Sequence, residues 1–276
     1  MPVLSVVIPT YNRLPKVKDA IESVLSQTYR DFEFWVVDDG STDGTGEALR
    51  AFGNKIKYIS QDNRGASAAR NLGARVSRGK YLAFLDSDDL WEPEKLEIQV
   101  KCMKENPQFP LCYTDEIWIR KGIRVNPKKR HGKYSGWIFE KCLPLCIISP
   151  SSALMRRALF EETGGFDETL PVCEDYDFWL RVTCRYPVLF IDQKLIVKKG
   201  GHGDQLSIRS WGNDRYRIMA LEKLLSSQNL KAEEKRMAAE ELVRKSYILS
   251  RGFYKRGKGE EGRRYEELAK RYGAYG

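Results

Sequence analysis

No apolar run in this 276-residue chain approaches the roughly 20 residues needed to cross a bilayer, although 42% of the residues are hydrophobic. The run at residues 3–8 is too short for the core of a secretory signal and reads as a buried strand. A cytoplasmic protein is therefore expected. Histidine is scarce, with only His131 and His202. None of the six cysteines (Cys102, Cys112, Cys142, Cys146, Cys173, Cys184) forms a CxxC pair. Cys142 and Cys146 are four apart in an apolar stretch with only His131 nearby, so buried reduced thiols are expected rather than structural zinc. No GxGxxG follows the first strand, which disfavours a dinucleotide dehydrogenase. No zinc finger or RNP-type motif is present, so no nucleic-acid partner is expected. Internal repeats and low-complexity tracts are also missing.

What the chain has in excess is positive charge. Its 47 Lys and Arg against 38 Asp and Glu give a net +9 and a pI near 9.1. Such a balance favours anionic partners without choosing among phosphates, nucleic acid and acidic membrane surfaces.

The first hundred residues alternate strand and helix. Strands are predicted at 3–8, 34–37, 56–59 and 81–85. Helices are predicted at 15–29, 46–52 and 65–76. In the first helix Val17, Ala20, Ile21, Val24 and Leu25 recur at three- and four-residue spacing. Ser41-Thr42-Asp43 supplies N-cap chemistry for the second. This rhythm predicts a parallel sheet with helices on both faces, and ligands beyond the carboxyl ends of its strands. A helix at 93–105 follows, then a hairpin over 111–125 turning at Lys121-Gly122 and a basic loop at 126–133. Extended segments are predicted at 147–155, 188–191 and 195–198, and a helix at 174–185. From 214 onward the pattern is helical. Amphipathic helices at 232–249 and 260–272 are separated by Gly257-Lys258-Gly259.

Four elements in the first half can carry chemistry. In Phe84-Leu85-Asp86-Ser87-Asp88-Asp89, three carboxylates follow an apolar strand. They either form a solvated acidic turn or share a hard divalent cation with phosphate oxygens. A helix cap needs only one acid, so three favour the metal. In Val36-Val37-Asp38-Asp39-Gly40-Ser41, one carboxylate can accept from a base N–H or ribose hydroxyls, and N-capping is the simpler role. Pro9-Thr10-Tyr11-Asn12-Arg13 ends the first strand with a ring that could stack on a base, or is an ordinary turn. Asn63-Arg64-Gly65-Ala66-Ser67-Ala68-Ala69-Arg70-Asn71 is either a tightly packed helix or a close approach in which Arg64 or Arg70 meets phosphate.

In this order the four elements closely resemble the family 2 glycosyltransferases of GT-A fold. The resemblance covers residues 3 to about 205 and is strongest up to Trp91. It implies an α/β, mostly parallel central sheet flanked by helices, with a C-terminal helical appendage. Residues 1–100 would form the nucleotide-sugar-binding half, 101–213 the acceptor-binding half, and 214–276 the basic helical segment. The implied reaction is an inverting transfer from a nucleotide diphosphate sugar with Mn²⁺ or Mg²⁺. Carried over by position, Tyr11 and Asp39 contact the base, with the Pro9-Thr10 backbone alongside. Arg13 is among the donor-binding residues, Arg70 lies near the nucleotide or the donor sugar, Asp86 faces the ribose or sugar, and Asp88 ligates the metal. Asp39 as an acceptor suits uracil or thymine, so UDP or dTDP donors are expected.

The later half matches too. Ser151-Ser152-Ala153-Leu154-Met155 and Gly164-Gly165-Phe166-Asp167-Glu168 resemble the family's acceptor side. Glu174-Asp175-Tyr176-Asp177 resembles its ED motif, which makes Asp175 the general base, with Glu174 or Asp177 left to cap the helix. His202, in a glycine-flanked polar loop, is either a surface histidine or a ligand for metal or diphosphate. Cys173, beside the ED motif, is expected to pack rather than react. Implied partners are a glycan or lipid-linked acceptor and a peripheral contact at the inner membrane face, motivated by the basic C-terminal helices. Glutamates interleaved in those helices weaken any one-sign face and favour packing on the catalytic domain over membrane contact. Two other classes are a haloacid dehalogenase-like phosphotransferase using Asp86, and a non-catalytic nucleotide-binding protein.

Overall fold

The computed structural model describes residues 2–128, 131–201, 203, 211–227 and 230–273. Four strands, β1 (Leu4–Thr10), β2 (Phe32–Asp38), β3 (Lys57–Ser60) and β4 (Tyr81–Phe84), are parallel and adjacent in the order β3-β2-β1-β4. Thr10 pairs with Asp38 and Val7 with Phe84. The carboxyl ends of β1, β2 and β4 therefore open at one edge of the sheet, and all four chemistry-bearing elements meet there.

Alternation along β1 explains the two cores. Leu4, Val6 and Ile8 point to one face, against Val17, Ala20, Ile21 and Val24 of helix α1 (Leu14–Leu25). Val7 points to the other, under helix α3 (Ala66–Val76). There Gly73 lies so close to β1 that an added Cβ would stand 2.3 Å from Val7 Cγ1. Pro15 sits in the first turn of α1, where its missing N–H is harmless. The helix stops at Leu25 rather than 29, because the next residues bond elsewhere: Gln27 Nε2 donates to Glu92 O at 2.8 Å and Thr28 N to Pro93 O at 2.9 Å. Before the short helix α2 (Thr45–Arg50), Asp43 Oδ1 accepts from Thr45 N at 3.1 Å, so the predicted cap acts from one residue outside Gly44.

The second half completes the same sheet. After β5 (Leu90–Trp91) and helix α4 (Lys95–Glu105), β6 (Leu111–Arg120) turns at Lys121-Gly122 into β7 (Ile123–Val125). Helix α5 (Phe139–Cys142), strand β8 (Ala153–Arg156) and helices α6 (Arg157–Glu162) and α7 (Glu174–Thr183) precede β9 (Leu189–Gly200). β8 lies antiparallel between β4 and β6, and β9 runs parallel to β6. Two expectations are corrected. Residues 147–155 are not continuously extended, since Pro150 opens a 3-10 turn closed by Ser152 N bonding Ser149 O. The two strands expected over 188–198 are one, because β9 pairs along the whole of β6 across a bulge at Asp115.

The C-terminal helices are α8 (Asp214–Ser226), α9 (Ala232–Tyr254) and α10 (Gly259–Gly273). Ile218, Leu221, Leu242, Leu249 and Phe253 join the same core as Tyr176 and Trp179 of α7. The buried Lys245 donates to Pro144 O at 2.9 Å and lies 3.0 Å from Glu241. Phe253 stacks on Tyr265 with centroids 5.5 Å apart. The apolar faces of these helices are thus used in packing on the catalytic domain.

Lys95 is fully buried. Its Nζ bonds Gln99 Oε1 at 2.5 Å and sits 4.0 Å from the Trp91 ring centroid. Burial pushes its pKa down to about 7. Between about pH 7 and 10.5 the folded protein therefore binds fewer protons than the unfolded chain, and stability rises with pH through that window. Lys95→Met should flatten this rise. Chemical denaturation at pH 7 and pH 10 checks it, and an unchanged pH slope in the variant would count against a titrating Lys95.

Candidate active site

Loops after β1 and β2 lock each other. Asn12, in the left-handed region with φ 49, takes Ser41 Oγ on its N–H at 2.9 Å and accepts Thr42 N at 2.7 Å. This leaves Tyr11 at the cleft mouth, 39% exposed. Of the two acids after β2, Asp38 is structural, accepting from Ser41 N and Tyr58 Oη. Asp39 turns into the cleft, but its carboxylate already accepts Gln61 Nε2 at 2.7 Å, Arg64 N at 2.9 Å and Gly65 N at 2.8 Å. A carboxylate has about four acceptor positions, so about one is left for a ligand. Thr10 Oγ1 is buried with no hydrogen-bond partner among the described residues. It is a polar atom waiting at the end of β1.

Arg70 projects from α3 and is almost completely buried. One guanidinium nitrogen meets Asp86 at 2.6 Å, and another meets Glu174 at 2.7 Å. Burial alone would raise the Asp86 carboxyl, but the Arg70 charge outweighs it and holds Asp86 below the usual range. Glu174, more deeply enclosed and next to Asp175, is pushed up by burial in spite of Arg70. Arg64 points elsewhere, to an exposed pair with Glu168 at 2.8 Å. Asp88 forms an ion pair with Arg13. Asp89 is a positioning group, accepting Ser151 Oγ at 2.8 Å and Lys199 N at 3.2 Å. Burial pushes its carboxyl well up, with Asp88 and Asp86 adding to the effect.

Asp175 stands at the head of α7. Its Oδ1 accepts Tyr176 N at 2.7 Å, and its Oδ2 takes the Cys146 thiol at 3.3 Å. The capping role expected of Glu174 or Asp177 is corrected here. No side chain caps α7 from the N-cap position, which Cys173 holds in the left-handed region with φ 64. Asp175 itself satisfies one of the free N–H groups of the first turn. Glu174 is committed to Arg70, and Asp177 is buried against Arg181 at 2.6 Å. Burial raises the Cys173 thiol to about 12, so it stays protonated and unreactive.

Pro9, Thr10, Tyr11, Arg13, Asp39, Arg70, Asp86, Asp88 and Asp175 all line one cavity of about 380 Å³. His202 lies outside the described residues. A second cavity of about 160 Å³ adjoins it, and the two share Cys146, Asp175 and Lys198. Lys198 and Cys146 were missed in the sequence. Lys198 lies on β9, opposite Trp118 of β6. Burial alone would lower its pKa, but Glu116, Asp89, Asp86 and Asp175 around it keep the ammonium charged. The one available signal was a lysine in an otherwise strand-like run, at the edge of the resemblance.

Among the described residues, no three His, Cys, Asp or Glu groups stand together as a metal cage. The donor set suits a different arrangement. Asp86 and Asp88 offer hard carboxylate oxygens to one open cavity, and Mg²⁺-type ions are commonly held by one or two carboxylates plus substrate phosphates.

A parallel βαβ half with acids at its strand ends, joined to a mixed half that carries an acidic helix head, defines a GT-A nucleotide-sugar enzyme fold. The Glycosyl transferase family 2 model matches residues 5–164, and the chain belongs to that family. An uncharacterised glycosyltransferase of Rickettsia conorii is 38% identical over 194 residues, 70% of this chain and 32% of its own length. Chondroitin synthase of Escherichia coli is 32% identical over 213 residues, 76% of this chain and 30% of that protein. This chain thus spans about a third of the length of these relatives. Among solved structures, S. aureus TarS 1–349 in complex with UDP-GlcNAc superposes with a TM-score of 0.76 at 22% identity, covering 96% of this chain and 79% of that one. Family membership leaves the phosphotransferase reading of Asp86 without support.

Removing Arg70 would leave Glu174 buried and unpaired. Arg70→Met should cost about 3–5 kcal/mol, and adding Glu174→Gln should recover part of that loss. A double-mutant cycle by urea unfolding measures it, and strictly additive losses would show that the pair is not coupled.

Proposed function

We propose that the protein is an inverting, metal-dependent transferase that moves a sugar from a UDP- or dTDP-type donor to an acceptor hydroxyl. The product would belong to a cell-surface polysaccharide or glycoconjugate. One observation carries the reading: the Asp175 carboxylate sits at the junction of the two cavities. In the larger, Tyr11 offers a ring for the base, Thr10 and the remaining acceptor position of Asp39 offer hydrogen bonds, and Arg13 and Arg70 supply positive charge. The roughly one acceptor position left on Asp39 fits the single N3–H of uracil or thymine better than the paired N1–H and N2 amino donors of guanine, which supports UDP or dTDP over GDP. The TarS structure is of a complex with UDP-GlcNAc, which agrees with a UDP-type donor.

The chemistry follows from the junction. Asp175 accepts the proton of the acceptor hydroxyl as its oxygen attacks the anomeric carbon from the side opposite the nucleotide. The bond from that carbon to the diphosphate oxygen breaks, the electron pair leaves with the nucleoside diphosphate, and the anomeric configuration inverts. Asp88, with Asp86 beside it, would hold Mn²⁺ or Mg²⁺ jointly with the diphosphate, and His202 is a further candidate ligand. The cation would neutralise charge developing on the leaving group. Asp86 is also placed to meet the ribose or sugar. Retention of both Asp88 and Asp175 favours a working enzyme over a non-catalytic binding protein.

Asp175→Asn should keep nucleotide affinity and lose about 10²–10⁴-fold in transfer rate. Near wild-type turnover in a coupled nucleotide-release assay would assign the base elsewhere. In calorimetry UDP should bind more tightly than GDP, and its Mn²⁺-dependent gain in affinity should disappear in Asp88→Asn. Tighter GDP binding, or an unchanged Mn²⁺ effect, would overturn the donor or the metal assignment respectively.

No helix among the described residues is long and apolar enough to cross a membrane. We place the protein in the cytoplasm, acting on a glycan or a lipid-linked acceptor with peripheral contact at the inner membrane face. The exposed faces of α9 and α10 carry Lys and Arg interleaved with Glu, and exposed Tyr247, Ile248 and Tyr254 among them support that contact. Co-sedimentation with anionic liposomes at low salt should exceed that with neutral ones, and equal recovery would refute docking.

A further inference from the structure

The smaller cavity is built from β6, β9 and the segment before β8, and its walls differ from those of the nucleotide cleft. A bulge at Asp115 shifts the β6 register. Beyond it Glu116 and Trp118, two residues apart, share a strand face, and Lys198 lies opposite Trp118 on β9. Bulges commonly re-aim side chains beside active sites. Trp118 is half-buried. Its indole N–H donates to Glu116 Oε2 at 2.8 Å, His131 meets its ring in a T-shaped contact at 5.0 Å between centroids, and the Arg120 guanidinium lies 5.5 Å from its centroid. Glu116 also accepts Ser149 Oγ at 2.5 Å. Ile147 and Ile148 form the apolar side. The Trp118 indole, Glu116 and Ser149 are thereby held in place before any ligand arrives.

We propose that this cavity is a subsite for one uncharged pyranose ring, the terminal sugar of a glycan acceptor, lying along Trp118 with a hydroxyl turned to Asp175. The inference rests on the transferase reading only for what happens to that hydroxyl. A pyranose has an apolar C–H face and a rim of groups that both donate and accept. The cavity offers an indole and two isoleucines beside fixed carboxylates and amines. Its volume of about 160 Å³ is of the order that a single six-membered ring occupies. Anionic groups fit less well. Lys133 is already engaged by the Ile147 carbonyl at 3.1 Å and by Glu116 at 3.5 Å. The Lys198 ammonium on the same wall is already surrounded by Glu116, Asp89, Asp86 and Asp175, and Asp115, Glu116 and Asp175 would repel a uronate or phosphate. An acyl chain would strand the same ionised groups without water.

The test uses the full chain saturated with UDP and Mn²⁺. Methyl glycosides of glucose, galactose, mannose and N-acetylglucosamine are titrated by saturation-transfer difference NMR, with methyl glucuronide and inorganic phosphate as anionic probes. At least one neutral glycoside should bind saturably. Its affinity should fall about tenfold or more in Trp118→Ala, an effect of about 1.4 kcal/mol, and stay close to wild type in Trp118→Phe. Trp118→Leu, which keeps apolar bulk, should show the same loss and replaces the alanine variant if that one fails to fold. UDP affinity should not change in any of them. Absence of neutral glycoside binding, binding indifferent to Trp118, or preference for the anionic probes would each overturn the subsite. If UDP fails to bind while a glycoside binds through Trp118, the donor assignment falls and the subsite stands.

Discussion

The guanidinium of Arg70 is the joint on which the cleft depends. It comes from the helix after β3, holds Asp86 after β4, and holds Glu174 at the head of α7. Those three points span both halves of the chain. The bridge fixes Asp86 in its ionised form and sets the start of α7, and with it the direction of Asp175. Because all three partners are shielded, the contact is strong where it exists and costly where one member is missing. The packing of Phe166 against the same guanidinium, 5.2 Å from its ring centroid, adds the GGFD segment to the joint. The geometry of the candidate site is therefore carried by one arginine, which the family resemblance puts near the nucleotide or the donor sugar and whose structural partners are both acids.

Much of the first hundred residues was legible because the signals there are local. An apolar strand followed by acids, and a helix with apolar residues three and four apart, depend on neighbours in sequence. The predicted strands overlap β1 to β4, and the four elements meet at their carboxyl ends. What failed there failed at boundaries, as at α1, whose last turn is lost to hydrogen bonds with residues sixty-odd positions away. The segment from β6 to β9 was less legible because its order comes from distant pairing. Whether 188–198 is one strand or two is decided by β6, and no periodicity within the segment reveals a partner.

The same division holds for the site. Asp86, Asp88 and Asp175 could be picked out because acids cluster after a strand or at a helix head. The second role of Asp39, fastening the turn into α3 through Arg64 N and Gly65 N, was not visible, since it depends on where that turn lies. Lys198, Cys146 and Glu116 carried no motif. They gain their meaning from meeting Asp175 and Trp118 across strands. The cap assigned to Glu174 or Asp177 was a reasonable rule for a helix start, but ion pairs with Arg70 and Arg181 claimed both residues.

Charge accounting in the cleft argues for the metal on grounds that no motif supplies. The chain carries a net +9, yet little of that excess is free in the cleft. Arg13 is committed to Asp88, and Arg70 to Asp86 and Glu174. Lys198 lies within the field of Glu116, Asp89, Asp86 and Asp175. A diphosphate entering here would bring negative charge to a surface whose cations are already balanced by carboxylates. If it recruited Arg13 or Arg70, it would leave a carboxylate uncompensated, and in a partly desolvated cleft that repulsion is weakly screened. Under the proposed function, a divalent cation arriving with the nucleotide would resolve the conflict, because it would offset the diphosphate and the released carboxylate together. On this argument the acids are too dispersed to hold an ion by themselves and well placed to hold one that the diphosphate shares.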